Sequence, residues 1–255
     1  MSFLKETSLD GLEVGSREFF EAQKNLIRKR PLLKYCYDVW YDRLLEDTNS
    51  APEQGILLEL GSGGSLLKDR EPRFITSDVI ADVAEQVIDA RQLPFPDSSI
   101  QAIALTHVLH HIPQVEKFFH EAVRTLKPGG VITMIEVAHT PFARFFFDKF
   151  HPEPYDDSPE NWDFSQRHSM MDSNQALSWM VFVRDKKRFV TEFPMLEIEE
   201  TSFTPWLTYL LSGGVTKKYL IPGFLDPIIH LAEKILIPLR PVFALHWHIR
   251  LRRKA

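Results

Sequence analysis

Residues 56–65 read ILLELGSGGS. The run Ile56–Leu60 is apolar except for Glu59, as expected of a strand buried on both faces in the middle of a parallel sheet. It passes without a linker into Gly61, Gly63 and Gly64. Glycines there permit positive φ and let backbone approach a ligand with no Cβ in the way. A helix opening after such a turn presents unpaired N–H groups at the carboxyl end of the sheet, where open α/β folds bind ligands. Taken alone, a Gly-rich turn is equally well explained as a tight chain reversal, so its meaning depends on what flanks it.

Further short apolar runs follow: RFITSDV (73–79), SIQAIALT (99–106) and GVITMIEV (130–137). Between the last two, PQVEKFFHEAVRTLKPGG predicts a helix, with Pro113 near its start, an apolar face at Val115, Phe118, Phe119, Ala122, Val123 and Leu126, and a Pro-Gly-Gly stop. Strands alternating with helices imply βαβ crossovers and a Rossmann-like, doubly wound sheet, mostly parallel. MLEIEETSF (195–203) predicts a strand with outward acids. From Val242 to Arg252 the period is two, which predicts an antiparallel C-terminal strand. Residues 16–46 place apolar groups at helical spacing and are divided at Pro31, and 173–193 reads as one helix. The stretch 204–241 is apolar and rich in proline, and belongs to no simple strand connection. The expected organisation is an N-terminal helical cap over 1–50 and a main domain over 51–255, with an insertion at about 204–241.

Composition narrows the function classes. The chain has 255 residues, enough for one large α/β domain, and its net charge of −5 gives no global pull toward nucleic acid. Cys36 is the single cysteine, which excludes an intramolecular disulfide and a cysteine-based zinc site. Its neighbours Tyr35, Tyr37 and Trp40 predict a core or lid helix and an unreactive thiol. The opening MSFLKETSLDGLEV lacks the apolar core of a secretory signal, and no run reaches the ~18 apolar residues of a membrane span, so a cytoplasmic protein is expected. The basic end (Arg250, Arg252, Arg253, Lys254) is either a solvated tail or a contact for an anionic membrane surface.

Acids stand at successive strand ends behind the Gly-rich turn. Asp78 lies about one βα unit on, where nucleotide-binding folds place an acceptor for ribose hydroxyls, and Asp89-Ala90 ends a third strand-like piece. Any one of them alone would pass for a helix cap or a solvated turn. The segment LTHVLHHIPQ (105–114) sets His107, His110 and His111 after the next strand. Histidine titrates near neutral pH and is the commonest general base, so His110 first and His111 second are the catalytic candidates, against a purely structural role in the loop. His139 and His151 are weaker candidates.

LLELGSGGS, ITSDV and DARQLPFPDSSIQAIALTHVLHHIPQVEKFFHEAVRTLKPGGVITMIE together resemble the class I S-adenosylmethionine-dependent methyltransferases, in the branch similar to quinone and other small-molecule methyltransferases. The resemblance covers about residues 55–137. It implies S-adenosyl-L-methionine as cofactor, with Glu59, Gly61 and Gly63 at its methionine end and Ser62 and Gly64 in the same turn. By the same match Asp78 would hold the ribose, Asp89 and Ala90 the adenine, and Thr106 and His107 would lie beside the methionine moiety. Two features depart from the family: Ser65 replaces its third glycine, and only VIADVAEQV separates Asp78 from Asp89, where a helix and strand are usual. The Asn-Pro-Pro-aromatic signature of methylation at base or glutamine amino groups is absent, with Thr106-His107-Val108 in its place.

Methyl transfer at a sulfonium carbon needs mainly near-attack geometry and exclusion of water. The aromatics of 138–178 (Phe142, Phe145–Phe147, Phe150, Tyr155, Trp162, Phe164) and of 204–241 (Trp206, Tyr209, Tyr219, Phe224) predict a large, apolar, lipidic acceptor. No metal is expected, and the acidic 153–163 reads as a loop. The 204–241 stretch is expected to meet a membrane surface, or else to close over the sheet or form a homodimer contact. Two other functions remain open: a catalytically silent cofactor-binding regulator of the same fold, and an NAD-dependent oxidoreductase, which the turn GSGGS fits less well because it lacks the spaced last glycine of G-x-G-x-x-G.

Overall fold

Leu57 and Leu58 point to opposite faces of one strand, and both are buried. The same holds for Ala104 and Leu105 on the next strand and for Val131 and Ile132 on the one after, so apolar layers cover the sheet on both sides. This two-sided burial explains the near-continuous apolar runs. The computed structural model describes residues 6–151, 153–164, 173–219 and 221–255. Residues 165–172 of the expected acceptor segment and Leu220 of the insertion lie outside the described residues.

The strands are β1 (Ile56–Leu60), β2 (Phe74–Asp78), β3 (Gln86–Val87), β4 (Ile100–Thr106), β5 (Leu126–Val137), β6 (Leu196–Phe203) and β7 (His246–Arg253). They form one sheet in the order β3-β2-β1-β4-β5-β7-β6. β1 to β5 are parallel, and β7 runs antiparallel between β5 and β6. The mixed α/β sheet with antiparallel C-terminal strands is the one the patterns predict. β3 is reduced to two exposed residues, which fits the short Asp78–Asp89 spacing.

Pro31 separates α1 (Arg17–Lys29) from α2 (Pro31–Asn49), as expected. α2 covers one face of the sheet with Cys36, Trp40, Tyr41 and Leu44. Its buried Asp47 fastens it to β5 and β7: Thr133 Oγ1 donates at 2.6 Å, His248 Nε2 lies at 2.5 Å, and Arg250 Nη1 donates at 2.8 Å. The short α3 (Leu67–Arg70) follows the Gly-rich turn, and α4 (Val115–Thr125) buries Val115, Phe118, Phe119 and Ala122 against the opposite face. After β5 comes α5 (Pro141–Phe150), whose N-cap Thr140 accepts the Ala143 N–H.

Two expectations change. The helix expected over 173–193 is broken into α6 (Leu177–Trp179), a π turn over Met180–Arg184 and α7 (Lys186–Glu192). The break is at Asp185, whose N–H reaches back five residues to the Met180 carbonyl while its carboxylate holds Trp162 Nε1 and Arg184. The C-terminal strand begins at His246 rather than Val242. Residues before it form α10 (Arg240–Phe243), with Pro241 in the first turn of that helix. Within 204–241 lie α8 (Leu207–Ser212) and α9 (Asp226–Ile235), joining β6 to β7.

Candidate active site

A cavity of about 1290 Å³ opens at the carboxyl ends of β1, β2 and β4. That exceeds the roughly 300–1,000 Å³ of ordinary small-ligand pockets and leaves room for two molecules. Its lining includes Gly61–Gly64, Asp78, Asp89, Ala90, Thr106, His107, His110 and His111, so most of the residues singled out in the sequence face one space.

At the β1 end, Gly61 has φ +61° and Gly63 φ +27°. A Cβ on Gly61 would stand 2.5 Å from Val108 Cγ2, and one on Gly63 2.7 Å from Phe20 Cε1 of α1. The turn is therefore pressed between the β4 loop and the first helix. The Ser62 N–H donates to the Ser77 carbonyl at 2.8 Å, and the Gly63 N–H donates to Asp78 Oδ2 at 3.2 Å. Burial pushes the Asp78 carboxyl up. Glu59 lies beneath this turn rather than on the cavity wall. Both its carboxylate oxygens are buried without a hydrogen-bond partner among the described residues, and burial raises its pKa to about 7. Asp89 is held in its own turn by Arg91, whose Nη2 donates at 2.6 Å.

At the β4 end, His107 has φ +59° and its N–H donates to the Ile135 carbonyl. Its ring packs edge-on to Trp40 and His246. Burial pushes its pKa down to about 4, so it is neutral at pH 7. Thr106 Oγ1 and His107 Nε2 have no hydrogen-bond partner among the described residues. His110, 2% exposed, places Nδ1 2.6 Å from Glu136 Oε2. Glu136 is fully buried on β5, and its Oε1 accepts the Val108 and Leu109 N–H groups at 2.9 and 2.7 Å. Burial works against a charged imidazole at His110, but the Glu136 carboxylate outweighs it and raises the pKa. His111 is half-buried, and desolvation followed by the neighbouring His110 lowers its pKa.

Of the weaker candidates, His151 lines the cavity and His139 does not. The His139 ring stacks on Trp179 at 3.7 Å and its Nδ1 meets Tyr155 Oη at 2.6 Å. Among the aromatics expected around the acceptor, Phe147, Phe150 and Tyr209 reach the cavity, whereas Trp162 is core. Sequence reading missed Glu136, Glu153, His246 and the α1 residues Phe20 and Gln23. Glu136 could have been found, since it is an acid ending a buried strand just as Glu59 is. Nothing local marks the packing of α1 over the turn.

A family described as a methyltransferase domain matches residues 67–134. Demethylmenaquinone methyltransferase of Desulfitobacterium hafniense is 27% identical over 114 residues, 42% of this chain and 45% of that protein. The ubiquinone/menaquinone biosynthesis C-methyltransferase of Azotobacter vinelandii is 30% identical over 95 residues, 37% of this chain and 38% of that protein. Residues 67–134, from α3 into β5, are thus similar to a methyltransferase domain. The chain spans less than half the length of these curated relatives. Over the whole fold, this chain is similar to geranyl diphosphate C-methyltransferase from Streptomyces coelicolor A3(2), crystallised with Mg2+, geranyl diphosphate and S-adenosyl-L-homocysteine. The TM-score is 0.56 at 16% identity, covering 97% of this chain and 87% of the other. The comparisons do not favour the silent-regulator or oxidoreductase alternatives.

Proposed function

We propose that the protein transfers the methyl group of S-adenosylmethionine to a small apolar or lipid-linked acceptor, at carbon or oxygen. One observation carries this reading: the Gly61–Gly64 turn with Asp78, and the His110–His111 pair, line a single cavity. The cradle fits the cofactor, because positive-φ glycines bring bare backbone to the cavity and Asp78 offers a carboxylate beside them. On this reading Gly61, Ser62, Gly63, Gly64, Asp78, Asp89, Ala90, Thr106 and His107 surround the cofactor, and Glu59 supports the turn from beneath without touching it. His110 and His111 act on the acceptor. The acceptor atom's electron pair forms the bond to the methyl carbon as the carbon–sulfur bond breaks, leaving its pair on sulfur and releasing S-adenosylhomocysteine. The proton lost by the acceptor goes to a base on the histidine face. The quinone rings and the geranyl chain named for the relatives are apolar groups, and Phe147, Phe150 and Tyr209 offer the cavity aromatic walls.

A membrane surface as the source of the acceptor is supported by the β6–β7 connection, which lines the cavity with Tyr209, Val215 and Lys217 and also exposes an apolar stripe on α9. Calorimetric titration with S-adenosylhomocysteine and with NAD tests the cofactor. Saturable binding of the first and none of the second is expected, and the reverse result would overturn the reading.

A further inference from the structure

The acceptor side of the cavity holds a group of atoms that methyl transfer alone does not require. His110 Nε2 and His111 Nε2 each lie 3.7 Å from Glu153 Oε2, and the ligating atoms of all three residues lie within 4.8 Å of one another. A separation of 3.7 Å is too long for a hydrogen bond. It is near the spacing of atoms that share an ion: with bonds of about 2.0–2.2 Å to zinc, tetrahedral neighbours stand ~3.3 Å apart. All three residues line the cavity.

The surroundings of this trio are those of a built metal site. A carboxylate can only accept, so His110 donates Nδ1–H to Glu136, and Nε2, which faces Glu153, is the atom that can lose its proton to a metal. Glu136 is itself fixed by two backbone N–H groups of the loop that carries His110. A carboxylate behind a histidine, setting its tautomer and the angle of its ring, is the usual outer partner of a metal-bound imidazole. Glu153 has outer partners of its own: Ser173 Oγ donates to its Oε2 at 3.0 Å, and Gln175 Nε2 donates to the same oxygen. His111, with its ring 4.4 Å from that of His110, stands at the half-exposed edge of the trio.

We infer that His110, His111 and Glu153 bind one divalent transition-metal ion of the zinc or cobalt class. Two imidazoles and one carboxylate are a donor set such ions favour over magnesium or calcium, and three protein ligands leave a position open toward the cavity. An acceptor oxygen, such as a phenolic or enolic hydroxyl, is the ligand that position would take. This assignment rests on the reading of the histidine face as the acceptor side, but metal binding itself needs neither cofactor nor acceptor.

The test uses the full chain stripped with chelator and titrated with Zn2+ by calorimetry and with Co2+ by visible absorption. One equivalent of each is expected, with a Co2+ spectrum characteristic of low coordination number. His111→Ala and Glu153→Gln should weaken binding at least 100-fold, and Glu136→Gln 10- to 100-fold through the loss of its hold on His110. S-adenosylhomocysteine titrated into the same variants monitors the fold and the cofactor end: unchanged affinity there, with metal binding lost, supports the site. Absence of stoichiometric binding in the wild type, or equal affinity in His111→Ala and Glu153→Gln, overturns it whether or not S-adenosylhomocysteine binds.

Discussion

Val108 occupies the space that any side chain at Gly61 would need: a Cβ built on Gly61 comes within 2.5 Å of Val108 Cγ2. The turn after β1 and the loop after β4 thus fit each other at the base of the cavity. Gly61 also sits at φ +61°, where an L residue is strained by about 1–2 kcal/mol. Gly61→Ala is expected to abolish S-adenosylhomocysteine binding in calorimetry and to lower the urea midpoint. Adding Val108→Ala relieves the contact but not the φ strain, so the double variant should recover part of the stability. A double variant no more stable than Gly61→Ala would show that contact with Val108 is not the constraint.

Glu59 is a buried carboxylate whose pKa of about 7 lies above its ordinary value of 4.5, because burial penalises the charged form. The folded protein therefore holds this proton more tightly than the unfolded chain does, and stability falls as pH rises from about 4.5 through 7. Glu59→Gln removes the titration. Its urea midpoint should exceed that of the wild type at pH 8, with the gap closing toward pH 4.5. A gap independent of pH would mean that Glu59 is ionised throughout.

Asp47 behaves in the opposite sense. Burial raises its pKa, but His248, Thr133 and Arg250 more than offset this and hold it below its ordinary 3.8. Its contribution is present in full above the unfolded value and is lost as pH falls through the folded one. Asp47→Ala leaves His248 and Arg250 without their partner between α2, β5 and β7, and should cost about 3–5 kcal/mol at pH 7. The gap from wild type should shrink below pH 4. Denaturant melts at pH 7 and pH 3 measure both.

Much of this was legible in the sequence. Strands β1, β2, β4 and β5 carry two-sided burial, so each appears as an apolar run, and the Gly-rich turn and Asp78 follow at strand ends where residue type limits the choices. What escaped has no local period. Asp47 and His248 are 201 positions apart and meet through tertiary packing. The π turn at Met180–Arg184 follows from what Asp185 bonds rather than from helical spacing. His246 and His248 alternate with the apolar residues of the terminal strand, yet both are buried, because α2 covers that side of β7. Glu153 was placed in an acidic loop, and only the folded chain brings it to His110 and His111.

His110 is buried and oriented by Glu136, so His110→Ala should remove a group that acts on the acceptor while leaving the Gly61–Gly64 cradle in place. Turnover with labelled S-adenosylmethionine on quinol and isoprenoid acceptors is expected to fall by about 10²–10⁴-fold, with S-adenosylhomocysteine affinity little changed. Near-normal turnover would return His110 to a structural role in the loop.

The α9 helix turns the usual arrangement of a surface helix inside out. Its acid Glu233 points inward, where Oε2 accepts the Thr208 N–H at 3.0 Å and Oε1 accepts the Trp206 N–H at 3.3 Å. Outward, Ile228, Leu231 and Ile235 are 62%, 58% and 66% exposed and recur at the three- and four-residue intervals of one helical face, and Phe224, in the 3-10 turn before the helix, is 77% exposed. Ile237, Leu239 and Val242 extend the apolar surface, and the exposed Lys217 and Lys234 flank it. No helix among the described residues is long and apolar enough to cross a membrane. A short helix with this pattern can lie in the interface, with its apolar side chains in the acyl boundary and its lysines at anionic headgroups. The same connection lines the cavity, which would give an apolar acceptor a route from the bilayer to the histidine face. Co-sedimentation with phosphatidylcholine vesicles containing about one quarter phosphatidylglycerol, a composition chosen to engage the lysines, should pull down the wild type. The triple variant Ile228→Ser, Leu231→Ser, Ile235→Ser should stay in the supernatant with its S-adenosylhomocysteine binding intact. If the wild type ignores vesicles, and sedimentation velocity shows a dimer that the triple variant abolishes, the stripe joins two copies of the chain instead.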